Sequence, residues 1–219
     1  MDRSAEARLW WQSDDRSDVE DWFEGLSTVL PGGPGRLQRP AILAERTDVY
    51  LRDSAQTELG VKLRHAGEDR ERLEVKSLVV VHRDAPPLGP VSLWVKSSSK
   101  ALRLDPGTTI STYKSRRLRK YEWLGASLTE IELDSAEEPK NGSRPKEGCG
   151  LEFTRVRVAG SSALWWTLGF EAFGALDSIE HILRECIAMT AGHYPPPALT
   201  QAFAASYPEW LTGRASNSA

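Results

Sequence analysis

Apolar and charged residues alternate through the middle of the chain with the period of two that belongs to a β-strand. In Val61-Lys-Leu-Arg64 the cations Lys62 and Arg64 share one face, and Val61 and Leu63 share the other. Glu74 and Lys76 are paired in this way in Leu73-Glu-Val-Lys76, Lys96 stands with Trp94 in Leu93-Trp-Val-Lys96, and Glu130 stands with Glu132. In Leu151 to Arg157, Glu152 and Thr154 oppose Phe153, Arg155 and Arg157. The run Thr112 to Lys120 carries five cations, with Lys114, Arg116 and Lys120 on one parity. The pattern predicts strands over 46–52, 58–65, 70–82, 91–98, 108–121, 128–133, 151–158 and 163–170. Tight links at Ala66-Gly-Glu-Asp69 and Ala159-Gly-Ser-Ser162 make two hairpins. Segment 84–90 reads as a loop. Segment 135–148, polar and rich in Glu, Lys, Pro and Gly, reads as a mobile surface loop.

Helical spacing appears towards the two ends. Val19, Trp22, Phe23 and Leu26 predict a helix within 14–30, capped by Asp15 or Ser17 and ended by Pro31-Gly-Gly-Pro-Gly35. Asp177 can cap a second helix with Ile179, Ile182, Leu183, Cys186 and Ile187 on one face, broken at Pro195-Pro-Pro197. A short helix near 198–205 precedes Tyr207-Pro-Glu-Trp-Leu211. The expected fold is α+β and mainly antiparallel: an eight-stranded tunnel-like β-barrel with a few packed helices. It forms one domain over 1–212, with 213–219 a flexible tail.

Composition narrows the function classes. With 219 residues and a formal net charge of -3, the chain can bury a large core but has no global basic field for nucleic acid, so specific nucleic-acid binding is not expected. No stretch approaches the roughly 20 apolar residues of a membrane span, and residues 1–8 lack a signal-peptide core. The expectation is no membrane and a cytoplasmic location. Cys149 and Cys186 form neither a disulfide framework nor a metal motif, and read as buried free thiols. The four histidines, His65, His82, His181 and His193, are scattered without metal-ligand spacing. Eight tryptophans, two pairs among them, read mostly as core or barrel-lining anchors. In the stretch Trp165 to Gly174, Glu171 is a candidate for the barrel mouth beside aromatic rings, with the C-terminal helix capping one end.

Alternation alone fits two arrangements: a half-exposed sheet with charges in water, or a closed barrel with a charged interior. Acidic and basic pairs lie on different strands, so a closed barrel would set them against one another. Arginine, moreover, binds phosphate oxygens through a bidentate fork.

The segments Arg46-Thr-Asp-Val-Tyr-Leu51, Leu59-Gly-Val-Lys-Leu-Arg64 and Leu73-Glu-Val-Lys76 resemble the early strands of the CYTH domain of triphosphate tunnel metalloenzymes. Lys114-Ser-Arg-Arg117, Glu130-Ile-Glu132 and Leu151-Glu-Phe-Thr154 resemble later pieces in the same order, so the resemblance spans about 46–158 with gaps. It implies an eight-stranded tunnel in which cations hold a triphosphate and carboxylates hold Mg²⁺ or Mn²⁺. Carried over, Arg8, Lys62, Arg64, Lys76, Lys96, Lys114 and Arg116 bind phosphate. Glu130, Glu132 and Glu152 bind metal, and Glu6, Glu74 and Glu171 are further tunnel candidates. The family's Glu-x-Glu-x-Lys signature is replaced here by Glu6-Ala-Arg-Leu-Trp10, which keeps one acidic and one basic residue.

Three functions follow as expectations. The first is a metal-dependent phosphohydrolase acting on a polyphosphate or nucleotide-like anion. The second is a non-catalytic module that binds a phosphorylated or other anionic small molecule. The third is a structural domain whose interior charges pair with one another.

Overall fold

The structure, a computed structural model, describes residues 2–12, 17–26, 39–52, 57–82, 89–191, 199 and 202–215. Strand β1 (Asp2–Gln12) and helix α1 (Ser17–Gly25) come first. They are followed by β2 (Ala41–Leu51), β3 (Leu59–Arg64), β4 (Arg72–His82), β5 (Val91–Ser99), β6 (Thr109–Trp123) and β7 (Leu128–Ile131). Next come β8 (Gly148–Val158), β9 (Leu164–Phe173), α2 (Ile179–Ala191), the two-residue β10 (Phe203–Ala204) and α3 (Tyr207–Ala215). The proposed cap Asp15, the 31–35 and 195–197 breakers and His193 lie outside the described residues. So does most of the 84–90 loop. Of the proposed 198–205 helix, residues 198, 200 and 201 lie outside the described residues, and Phe203–Ala204 form strand β10 against β1 instead of a helix. The segment read as a tail from 213 is helical to Ala215.

Eight strands pair antiparallel in the cyclic order β1-β5-β4-β3-β2-β6-β8-β9, and β9 returns to β1 over Ser4–Gln12 to close the ring. β10 and β7 pair outside this ring, with β1 and β6 respectively. Closure removes free strand edges and divides every strand's residues into an interior and an exterior set.

The main apolar core lies outside the barrel wall. Ala5, Ala7 and Trp11 of β1, Leu151 and Phe153 of β8, and Trp166, Leu168, Phe170 and Ala172 of β9 face outward beneath the helices. α1 packs there through Val19 and Phe23, joined by Leu26, and α2 through the five positions its spacing predicts. This burial frees the interior for polar groups. Arg119, buried on the exterior of β6, donates to the carbonyls of Phe23 (3.0 Å) and Glu24 (2.8 Å), which satisfies acceptors that the end of α1 leaves open.

A second, smaller apolar cluster fills one end of the interior: Trp10, Val156, Val158 and Trp165, with Trp210 of α3. Trp10 and Trp210 stack at 4.0 Å, and Tyr207 meets Trp10 edge-on at 4.8 Å and stacks on Tyr50 at 5.6 Å. The C-terminal helix α3 therefore closes one end of the barrel, while α2 lies on the outer wall. Six of the eight tryptophans (10, 11, 94, 165, 166 and 210) are buried, as expected of anchors.

Candidate anion-binding cavity

Above this aromatic floor the barrel encloses a cavity of about 320 Å³. Its wall shows which strand parity faces inward. β1 contributes Glu6 and Arg8, β3 Lys62 and Arg64, β4 Lys76, and β5 Lys96. β6 adds Lys114, Arg116, Leu118 and Lys120, β8 Glu152, and β9 Gly169, Glu171 and Phe173. All seven cations singled out in the sequence line this one space, together with Glu6, Glu152 and Glu171. Arg46, Glu137 and Tyr207 join them. Nine cations thus face four carboxylates.

The carboxylates are each engaged by cations. Glu152 accepts from Arg8 (3.4 Å) and Arg116 (3.1 Å). Lys76 pairs with Glu6 and, at 3.4 Å, with Glu171, which also meets Lys96 at 3.6 Å. Glu74, on the inward parity of β4 beside the cavity, receives Lys62 (3.3 Å), Arg64 (3.3 Å) and Arg72 (3.1 Å). Asp48 is fully buried and holds Arg46 (2.9 Å), Lys114 (2.9 Å) and Lys62 (3.7 Å). Even with Asp48 and Glu74 counted, the cluster keeps a formal excess of three positive charges.

The protonation behaviour follows. Burial pushes the Asp48 carboxyl up, but Lys114, Lys62 and Arg46 together hold it well below the usual carboxylate range. Burial pushes the Lys114 ammonium well down, and Lys62 and Arg46 push the same way against the pull of Asp48. Burial also raises Glu152, yet Arg116 and Arg8 hold it far below the ordinary range; Lys76 does the same for Glu171. Glu74 is held at about 2 by Lys62 and Arg64 against its own burial. A carboxyl depressed in the fold contributes stability above its unfolded value, near 4.5, and loses it as pH falls through the folded value. Acid unfolding is therefore expected to set in between about pH 5 and pH 2, and Glu74→Gln to flatten that part of the stability curve. Urea titrations at stepped pH check both. The shift at Glu74 is worth about 3 kcal/mol at most.

Gly169 makes room for the first-strand cation. A Cβ there would lie 2.5 Å from Arg8 Cζ, so the guanidinium rests against bare backbone, 4.8 Å from the centre of the Tyr207 ring. Lys114 Nζ sits 3.8 Å from that ring's centre and donates to Tyr50 Oη at 2.6 Å.

Two of the proposed metal ligands, Glu130 and Glu132, lie away from the cavity. Glu130 pairs in register with Tyr121, an exterior position of β6, and its carboxylate takes Arg119 at 2.5 Å, the side chain that also holds the end of α1. Glu132, of the same parity, is half exposed and pairs with Lys140. Neither lines the cavity, so they do not converge with Glu152. Among the described residues, no group of three or more His, Cys, Asp or Glu side chains is arranged to hold a metal ion. The carboxylates that do line the cavity are spent on lysine and arginine. This donor set does not fit a resident Mg²⁺ or Mn²⁺.

Sequence reasoning missed Arg46, Asp48, Glu137 and Tyr207 as site residues. Arg46, Asp48 and Tyr50 alternate with Thr47, Val49 and Leu51, a usable signal. The bulge between Leu43 and Arg46 keeps them in phase with the inward residues of β6. Glu137 comes from the segment read as a mobile loop. There Asp134 Oδ1 accepts from the amides of Ala136 (2.8 Å) and Glu138 (2.9 Å), building a tight turn.

No family model matches the chain, and no curated protein matches it. Among solved structures, a chain of the Schizosaccharomyces pombe Mediator head module superposes with a TM-score of 0.41 at 9% identity. The match covers 89% of this chain and 96% of that one, and at this level it carries no inference about function.

Proposed function

We propose that the barrel is a binding module for a small phosphorylated or polyphosphate-type anion, taken up without a resident metal. The observation that carries this reading is the charge of the cavity: nine cations against four carboxylates around about 320 Å³, closed at one end by Tyr207. Buried like charges are costly, and an anionic guest offsets that cost directly. Several donors are also left over. Arg46 Nη1, Arg64 Nε and Arg116 Nε are buried without a hydrogen-bond partner. Phosphate oxygens are suited to such groups, because each accepts charge-assisted bonds from arginine forks. The resemblance to triphosphate tunnel domains points to the same ligand class. The free, buried thiols Cys149 and Cys186 suit a reducing compartment such as the cytoplasm. Among the described residues, no helix is long and apolar enough to cross a membrane.

The second reading is a metal-dependent phosphohydrolase, which the resemblance implies. Calorimetric titration with tripolyphosphate, in chelator and then in Mg²⁺, separates the two, with phosphate release followed in parallel. Binding in chelator without turnover is the expected result. Binding and release that both require Mg²⁺ would establish the hydrolase instead, and no binding in either condition would leave the structural reading.

A further inference from the structure

Resting on that reading, we infer that Glu137 is a built-in occupant of a three-arginine subsite, a carboxylate that the ligand's terminal phosphate displaces. Glu137 is on neither a strand nor a helix; it sits in the turn between Leu133 and Pro139, which bridge each other antiparallel. From there its carboxylate reaches into the cavity wall. It pairs with Arg116, lies 3.5 Å from Arg64 and 3.9 Å from Arg46, and so touches guanidinium groups from β6, β3 and β2. Burial raises this carboxyl, but Arg116, Arg64 and Arg46 outweigh it, and the group stays ionised.

Two features mark the contact as provisional rather than as a finished structural ion pair. The backbone of Glu137 has φ +70°, a left-handed conformation that a residue with a Cβ adopts at a cost. The occupant also under-fills its site. A carboxylate has two oxygens, and the donors at Arg46 Nη1, Arg64 Nε and Arg116 Nε are left without a hydrogen-bond partner. A terminal phosphate brings three oxygens and up to two negative charges to the same three forks. The turn can leave without opening the barrel, because β7 and the turn lie outside the closed ring. The class of ligand this selects is one with a terminal, unesterified phosphate, since a diester presents one charge and would compete poorly with the tethered carboxylate.

Glu137→Gln removes the charge and keeps the shape. The probes are inorganic tripolyphosphate and a phosphodiester of similar size, titrated in chelator. The expected result is tripolyphosphate affinity raised about tenfold in Glu137→Gln, as when a competing closed state is relieved, with little gain for the diester. Hydrogen exchange on the unaltered protein gives a second readout. Saturating tripolyphosphate should speed exchange at the amides of Ala136 and Glu138, which the Asp134 carboxylate protects. Equal affinity in the two proteins, or a turn that stays protected at saturation, overturns the displacement while leaving anion binding in place. Failure of both proteins to bind tripolyphosphate overturns the binding reading and this inference with it.

Discussion

Asp48→Asn is expected to destabilise the protein by about 3–5 kcal/mol, the usual cost of removing one partner from a buried charge cluster. Asp48 is the one carboxylate shared by Arg46, Lys62 and Lys114, and it has no exposed surface. Asparagine fills the same volume but leaves three cations around a neutral amide. Lys114, already pushed down by burial and by its cationic neighbours, would shed its proton first. Against a typical stability of 5–15 kcal/mol, a loss of this size moves the urea midpoint far. The cavity account adds a distinctive outcome: tripolyphosphate should restore more stability to the variant than it gives the unaltered protein, because the anion takes over part of the missing charge. A variant as stable as the original, with no extra rescue, would mean that the three cations are not held together by this carboxylate.

Arg116→Met should weaken tripolyphosphate binding by roughly a hundredfold, and Arg116→Lys by roughly tenfold, the range spanned by charge-assisted hydrogen bonds of about 1.5–3 kcal/mol. Arg116 stands between Glu152 and Glu137 and is almost wholly buried. Its partners hold it firmly protonated against its own burial. Lysine keeps the charge but loses the planar fork, so the size of the difference between the two variants reports how much of the contact is geometric. Calorimetric titration in chelator gives both numbers. Affinity unchanged in both variants would remove Arg116 from the site.

How much of this was legible beforehand depended on distance along the chain. Strand parity is local, so Lys62 with Arg64, Lys114 with Arg116, and Glu152 with Thr154 could be read as sets, and each set shares a face of the barrel. The apolar faces of α1 and α2 were legible for the same reason. Whether the charged face looked into water or into a cavity was not, because that is decided by β1 pairing with β9, residues some 160 positions apart. Glu130 shows the limit of parity: β7 adds beside β6 in a register that turns it to the exterior, and Glu132 lies beyond the end of that strand. Glu137 and Tyr207 carry no periodic signal at all. One arrives from a turn shaped by Asp134, the other from the helix that closes the barrel floor, and composition describes both only as polar or aromatic residues in irregular surroundings.

A crystal structure grown with tripolyphosphate in chelator decides whether the barrel interior receives a phosphate-bearing anion. The expected result is density inside the barrel, between Arg64, Lys76 and Arg116, with the Glu137 carboxylate withdrawn from its three arginines. An interior that stays unaltered at saturating tripolyphosphate, with anion only on the outer surface, would contradict it.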